Sequence, residues 1–391
     1  MTPPHLAAAT PALLLIPGPV STSAAVKAAM AQDFAPWDNS FRPLHTQVRE
    51  RVLALAGGSQ DSHSVLPLQG CGHFAMEAAI RSLVPQHLAP GEGGKLLIPL
   101  TGSYAVRMAR LAREAGRHVV ELAVAAGTAV DPQAVAAALA ADPAITHVGL
   151  VYSETSTGIV HPAAAVGQAV RAAGRQMILD AVSAFGALPL DVAAQPEVAA
   201  VVFTSNKCLE GMPGLSFTVA RRDRLAQAIP AGSWSFDLAD IERHASGHGH
   251  GSFRFTPPAQ VLAAFRVALD EHAAEGGRVA RLARYTANAA ALYDGVLGIG
   301  LQPYLRRELQ GPIVVNIHAP DDAAWSLQAF VDGCKGRGFV ISNFYDTATP
   351  SFRVGCIGGV TPADMRRFVA AVDATLQAMG VRHRSPARQA A

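Results

Sequence analysis

Little of this 391-residue sequence is charged, and neither sign dominates. Only 16% of residues are Asp, Glu, Lys or Arg, and 32 basic residues face 30 acidic ones for a formal charge of +2. That near balance gives no electrostatic reason for a nucleic-acid or membrane-surface partner. Cysteine is scarce: Cys71, Cys208, Cys334 and Cys356 lie far apart and form no CxxC pair. Neither a disulfide framework nor metal-ligand spacing is present, so a reducing cytoplasm is the expected setting. Long apolar runs are missing too, since no unbroken run of apolar residues approaches the roughly 18 a membrane span needs. The opening segment MTPPHLAAATPALLLIPGPV carries an apolar patch but no basic n-region, and Pro17-Gly18-Pro19 interrupt it. It reads as an N-terminal arm, not a signal peptide. No internal repeat is visible.

What is present is apolar residue in bulk. Half the chain is hydrophobic, enough for a large buried core, and the length predicts roughly two or three domains. From about residue 20 to 220, short apolar runs alternate with Ala-rich helical stretches. The runs SVLPL (64–68), KLLIPL (95–100), HVVELAV (118–124), THVGLVYS (146–153), QMILD (176–180), AAVVFTS (199–205) and LSFTVAR (215–221) read as strands. Helices are expected over 73–83, 103–115, 131–141 (opened by Asp131-Pro132) and 162–173. Such alternation, with strands apolar on both faces, predicts an α/β fold built on a largely parallel, doubly wound sheet. Past residue 225 the stretch SWSFDLADIERHASGHGHGSFRFTPPAQ reads as one long irregular loop, its His248 and His250 included. A helical stretch over 258–293 follows. Then comes a smaller α+β region with strands 312–319, 339–344 and 351–357, a closing helix 362–378 and a frayed tail.

A doubly wound sheet binds its ligand beyond the carboxyl ends of its strands, and several polar residues fall at those ends. Gly70 and Gly72 flank a strand-to-helix turn suited to an anion, or simply to a turn. Tyr104 opens the next helix, either to stack on a planar ring or to pack. Glu154, Thr155, Ser156 and Thr157 follow a strand, to orient a ligand or to cap a turn. Asp180 ends a strongly apolar strand, where a carboxylate is costly unless paired with a cation or used as a helix cap. Lys207, in VVFTSNKCLEGMPG (201–214), stands where another strand opens into a Gly/Pro-rich loop. Each residue alone has a bland reading, a solvated lysine among them. Together they form a kit: an amine for a Schiff base, a carboxylate for a pyridinium nitrogen, and a helix start for a phosphate. Those are the demands of pyridoxal 5′-phosphate.

The pieces PWDNSF, SETSTG, LDAVSAFG, TSNKCLEGMPG, FRFTPP and FRVGCIGGVTPADMRRFVAAV, in this order and spacing, resemble the class V aminotransferases of PLP fold type I. They are most similar to the 2-aminoethylphosphonate–pyruvate transaminases. The resemblance implies a large PLP-binding domain over 20–280 with a mainly parallel seven-stranded sheet. It also implies a small α+β domain over 281–391, with the arm 1–19 packed on it. It implies that Lys207 carries the cofactor as a Schiff base and shuttles the proton, that Asp180 pairs with the pyridine nitrogen, and that Tyr104 stacks on the ring. Cys71, Gly72 and His73 would hold the phosphate, helped by Thr256 from a partner subunit, and Thr155 would bond the ring's 3′ oxygen. Arg353 would grip the substrate's acidic group with its planar fork. The implied reaction is a ping-pong transfer from an amino donor to pyruvate in a homodimer with a shared site. His73 and the segment ISNFYDTATPSF (341–352) depart from the phosphonate pattern and leave an alanine–glyoxylate or serine–pyruvate type open.

Overall fold

The structure, a computed structural model, describes residues 12–86, 94–247 and 252–387. Seven strands form the main sheet: β1 (His63–Gln69), β2 (Lys95–Leu100), β3 (His118–Ala123), β4 (Ile145–Val151), β5 (Gln176–Asp180), β6 (Val198–Thr204) and β7 (Leu215–Arg221). Their spatial order is β1-β7-β6-β5-β4-β2-β3. Strand β7 runs antiparallel to β1 and β6, and every other neighbouring pair is parallel. The expected α/β fold with a mainly parallel seven-stranded sheet is therefore present.

Central strands apolar on both faces serve two layers at once. Along β6, Val201 and Phe203 enter one apolar cluster while Ala200 and Val202 enter the other. Phe185, Phe203 and Phe217 stack in series, with ring centroids 3.8 and 5.0 Å apart. Strand β1, antiparallel to β7, points the same way as β6. The carboxyl ends of β1, β2, β4, β5 and β6 thus open on one edge of the sheet, and helices Gly72–Leu83 and Ser103–Glu114 start there.

The chain divides into two compact units, one comprising Thr22–Thr155 with Ile159–Leu282, the other the segment ending at Ser21, residues 156–158 and the chain from Ala283 onward. The second unit has its own apolar cluster, which includes Leu15, Leu292, Ile317, Phe352 and Phe368. In it Val314–His318 pairs antiparallel with Ser351–Gly355, setting Arg353 opposite Asn316. Leu13–Leu14 pairs parallel with Phe339–Val340.

Four expectations need correction. The stretch read as irregular contains helix Leu238–Gly247. Its Leu238, Ile241 and Ala245 recur at helical spacing and are buried, a signal masked by the Gly- and His-rich sequence beside it. His248 and His250 lie outside the described residues. The long helical stretch is two helices, Ala259–Glu275 and Gly277–Gly298, parted where Gly276 takes φ +110°. The strand expected over 339–344 stops at Val340, and the residues to Pro350 form neither helix nor strand. The tail is tied down through residue 384: Asp322 accepts the backbone N–H groups of Arg382 and His383, and Arg384 pairs with Asp373. Helices Arg42–Leu55, Pro132–Ala141, Ala163–Ala172, Leu327–Gly336 and Pro362–Met379 complete the described helices of ten residues or more.

Candidate active site

Lys207 stands on the loop that leaves β6. Because β5 and β6 are parallel neighbours with Asp180 opposite Val202, both chains exit the sheet on the same side, and Asp180 and Lys207 meet in one cleft of about 230 Å³. Cys71, Gly72, His73 and Tyr104 line it as well.

The Lys207 loop is built tightly. The Ser205 hydroxyl donates to the Met212 carbonyl at 2.6 Å, the Gly211 N–H to the Ser205 carbonyl at 2.8 Å, and the Glu210 N–H to the Lys207 carbonyl at 2.9 Å. Glu210 takes φ +55°, unusual for a residue with a side chain. Gly211 is obligatory for another reason: a Cβ there would lie 2.9 Å from both Phe265 and the Ser205 carbonyl oxygen. Arg281, 2% exposed, clamps the loop from outside. It donates to the Cys208 carbonyl at 2.6 Å and pairs with Glu210 at 3.2 Å and Glu275 at 2.7 Å.

Asp180 accepts the Val182 N–H at 3.0 Å. Part of it faces the cleft, yet the protein packed around it disfavours charge, and burial pushes its pKa up to about 6. The Val182 hydrogen bond pulls the other way, nearby Glu154 adds to the rise, and Lys207 opposes it. Glu154 is fully buried and accepts the Tyr104 N–H at 3.5 Å and the Thr101 hydroxyl at 3.4 Å, which ties it to the start of helix Ser103–Glu114.

One wall of the cleft, Cys71, Gly72 and His73, lies at the start of helix Gly72–Leu83. Its N-cap Cys71 makes no side-chain capping bond, and the Phe74 N–H donates back to the Cys71 carbonyl at 3.0 Å, which leaves the N–H groups of Gly72 and His73 without an intrahelical acceptor. Gly70 takes φ +139°, and a Cβ on Gly72 would sit 2.7 Å from Val182 Cγ2. Thr204 Oγ1, beside them, is buried without a hydrogen-bond partner among the described residues. His73 is held below its ordinary pKa by burial and by the neighbouring Arg107 cation.

Three of the residues singled out in the sequence are not among those that line this cleft. Thr155 is buried just past the short strand Ser153–Glu154 and does not line the cleft. Thr256 is exposed and does not line it either. Arg353 belongs to the second compact unit, where it pairs with Asp346. Conversely, Met76, Arg107, Val182, Thr204 and Asn206 line the cleft without having been foreseen. For Arg107 a signal existed: it is three residues after Tyr104 on the same helix face, and its guanidinium lies 5.0 Å from the centre of that ring.

A family model described as "Aminotransferase class-V" matches residues 27–324. The chain is 41% identical over 369 residues to a Pseudomonas fluorescens protein named 2-aminoethylphosphonate--pyruvate transaminase, covering 94% of this chain and 98% of that one. A Burkholderia ambifaria protein of the same name is 41% identical, covering 94% of this chain and 96% of its own. Among solved structures, pyridoxamine-pyruvate aminotransferase from Mesorhizobium loti matches with a TM-score of 0.85 at 27% identity, over 96% of this chain and 94% of that one. Sequence, fold and the Asp180–Lys207 cleft agree, and the chain belongs to the class V aminotransferase family.

Proposed function

We propose that this transaminase uses pyridoxal 5′-phosphate to move the amino group of 2-aminoethylphosphonate to pyruvate, giving phosphonoacetaldehyde and alanine. The observation that carries the reading is 41% identity, across 94% of the chain, to relatives named for that reaction.

The cleft residues fit the cofactor. A carboxylate whose pKa is pushed up to about 6 favours a cationic neighbour, as a protonated ring nitrogen would be. A helix start with no side-chain cap and an unpartnered Thr204 hydroxyl suit a phosphate. Cys71, Gly72 and His73 would hold that phosphate through the backbone, with Thr256 reaching in from a second copy. Thr155 would bond the ring's 3′ oxygen. When bound, the cofactor supplies an electron-poor ring that takes up and returns the amino group.

Within that setting Lys207 has two tasks. Its Nζ would hold the cofactor and, as a neutral amine, would take up a proton from the donor's amine-bearing carbon. Asp180 would keep the ring nitrogen protonated. Tyr104 and Val182 supply apolar walls that exclude water. Arg353 holds the phosphonate of the donor and the carboxylate of pyruvate.

A cytoplasmic homodimer completes the proposal. Trp234 and Phe255 are 68% and 50% exposed and pack edge to face at 5.1 Å, Phe255 being the residue before Thr256. So exposed an aromatic pair fits a surface that a second copy covers. Cys208, Cys334 and Cys356 are buried free thiols, as suits a reducing compartment.

The test is a donor screen with pyruvate as acceptor, scored by alanine formation. 2-Aminoethylphosphonate is expected to be the fastest donor. His73 in the cleft favours a second reading, an alanine–glyoxylate or serine–pyruvate type enzyme. Turnover with α-amino acids alone would establish that reading and reject the phosphonate one.

A further inference from the structure

The guanidinium of Arg353, proposed above to grip the substrate's acidic group, is already engaged by the chain itself. Arg353 Nη1 donates to Asp346 Oδ2 at 2.7 Å, and the two side chains are only 4% and 16% exposed. The guanidinium carbon also lies 4.8 Å from the centre of the Phe344 ring. Asp346 and Phe344 belong to 341–350, the segment that departs from the phosphonate transaminase pattern. That segment has no helix or strand, and it leaves Phe344 and Tyr345 half-exposed. Its backbone thus lies outside any helix or strand ladder, which lowers the cost of moving it.

The charges of the pair cancel. A phosphonate or carboxylate that docked on Arg353 with Asp346 still in place would set two anions against one cation, largely out of water. Low-dielectric surroundings penalise that arrangement steeply. We infer that Asp346 is an internal occupant of the substrate's anion subsite. Acidic substrates bind by displacing its carboxylate from Arg353, so residue 346 sets how tightly they are held. The same competition discriminates by charge: a dianionic phosphonate displaces Asp346 more readily than a monocarboxylate does. This rests on Arg353 being the acid-binding residue, and the experiment separates the two claims.

Ethylphosphonate, which lacks an amine and cannot react, is titrated calorimetrically into the holoenzyme. Asp346→Asn is expected to tighten its binding by on the order of tenfold. It should also lower KM for 2-aminoethylphosphonate. Asp346→Glu should bind like the parent, and Asp346→Ser should act in the same direction as Asp346→Asn should the latter fold poorly. Arg353→Gln should bind ethylphosphonate far more weakly with either residue at 346. If Arg353→Gln weakens binding while loss of the charge at 346 leaves it unchanged or weaker, Asp346 orients Arg353 and the inference is overturned. If Arg353→Gln binds as tightly as the parent, the acid-binding reading of Arg353 falls, and the inference with it.

Discussion

Asp180 sits where its own charge is unwelcome, and that has a consequence for stability with a definite sign. Its pKa in the folded protein, about 6, lies above the ordinary 3.8. The folded state therefore binds a proton more tightly than the unfolded chain, and the carboxylate favours folding least once both forms are ionised. The cofactor-free protein should be most stable, as far as this residue is concerned, below about pH 4 and should lose stability as pH rises through 6. The difference, 6 − 3.8, corresponds to a penalty of about 3 kcal/mol at pH 8. Asp180→Asn removes it. Urea unfolding of the cofactor-free variant at pH 8 should show a gain of up to about 3 kcal/mol, shrinking towards pH 4. Transamination by the same variant should fall by roughly a hundredfold or more. A variant neither more stable nor less active would show that Asp180 is an ordinary helix-turn residue. This residue was legible in the sequence because a carboxylate closing an apolar strand has few inexpensive explanations. Its repulsion by Glu154 was not, because that contact comes from a neighbouring strand end.

At the scale of elements, the Lys207 loop depends on a residue far from it in sequence. Arg281 lies in the first turns of helix Gly277–Gly298, yet its buried guanidinium joins the Cys208 carbonyl to Glu210 and Glu275. Arg281→Met would leave two carboxylates and a carbonyl without their cation. It should destabilise the protein by about 3–5 kcal/mol in denaturant melts, and kcat should fall with it as Lys207 loses its fixed position. Unchanged stability would show that the clamp is replaceable. At the opposite wall, Gly72→Ala would drive a Cβ to 2.7 Å from Val182 Cγ2. Overpacking of that kind costs about 1–3 kcal/mol. It should appear as weaker cofactor affinity, measured by fluorescence titration, with the secondary structure intact. Loops such as 205–214 could be placed from the sequence because a strand, a polar trio and Gly/Pro breakers mark their ends. The partner that fixes them could not, since one arginine on a long helix carries no local signal for a contact made across the fold. Helix Leu238–Gly247 was missed for a different reason: its spaced apolar residues abut a Gly- and His-rich tract that reads as a loop.

For the whole molecule, the sheet was legible because β5 and β6 centre on continuous apolar runs, Met177–Leu179 and Val198–Phe203, as strands covered on both faces require. The strand order was not, because β7 returns antiparallel between β1 and β6 with nothing in its own composition to show it. Assembly is the property on which the proposed site depends most, since Thr256 is exposed and does not line its own chain's cleft. Sedimentation velocity at micromolar concentration should give a dimer of about 81 kDa, twice the 40.7 kDa chain. Replacing Trp234 and Phe255 together by serine should weaken that dimer and lower cofactor retention. A stable, fully active monomer would remove Thr256 from the site.

The central claim is that Lys207, at the open edge of the sheet, is the amine that carries the cofactor. The chain has only four lysines, Lys27, Lys95, Lys207 and Lys335, which makes the claim directly measurable. Holoenzyme reduced with borohydride, digested and mapped by mass spectrometry should carry the reduced cofactor on the Lys207 peptide alone, and Lys207→Ala should carry none. Label on another lysine, or a protein that takes up no cofactor at all, would contradict it.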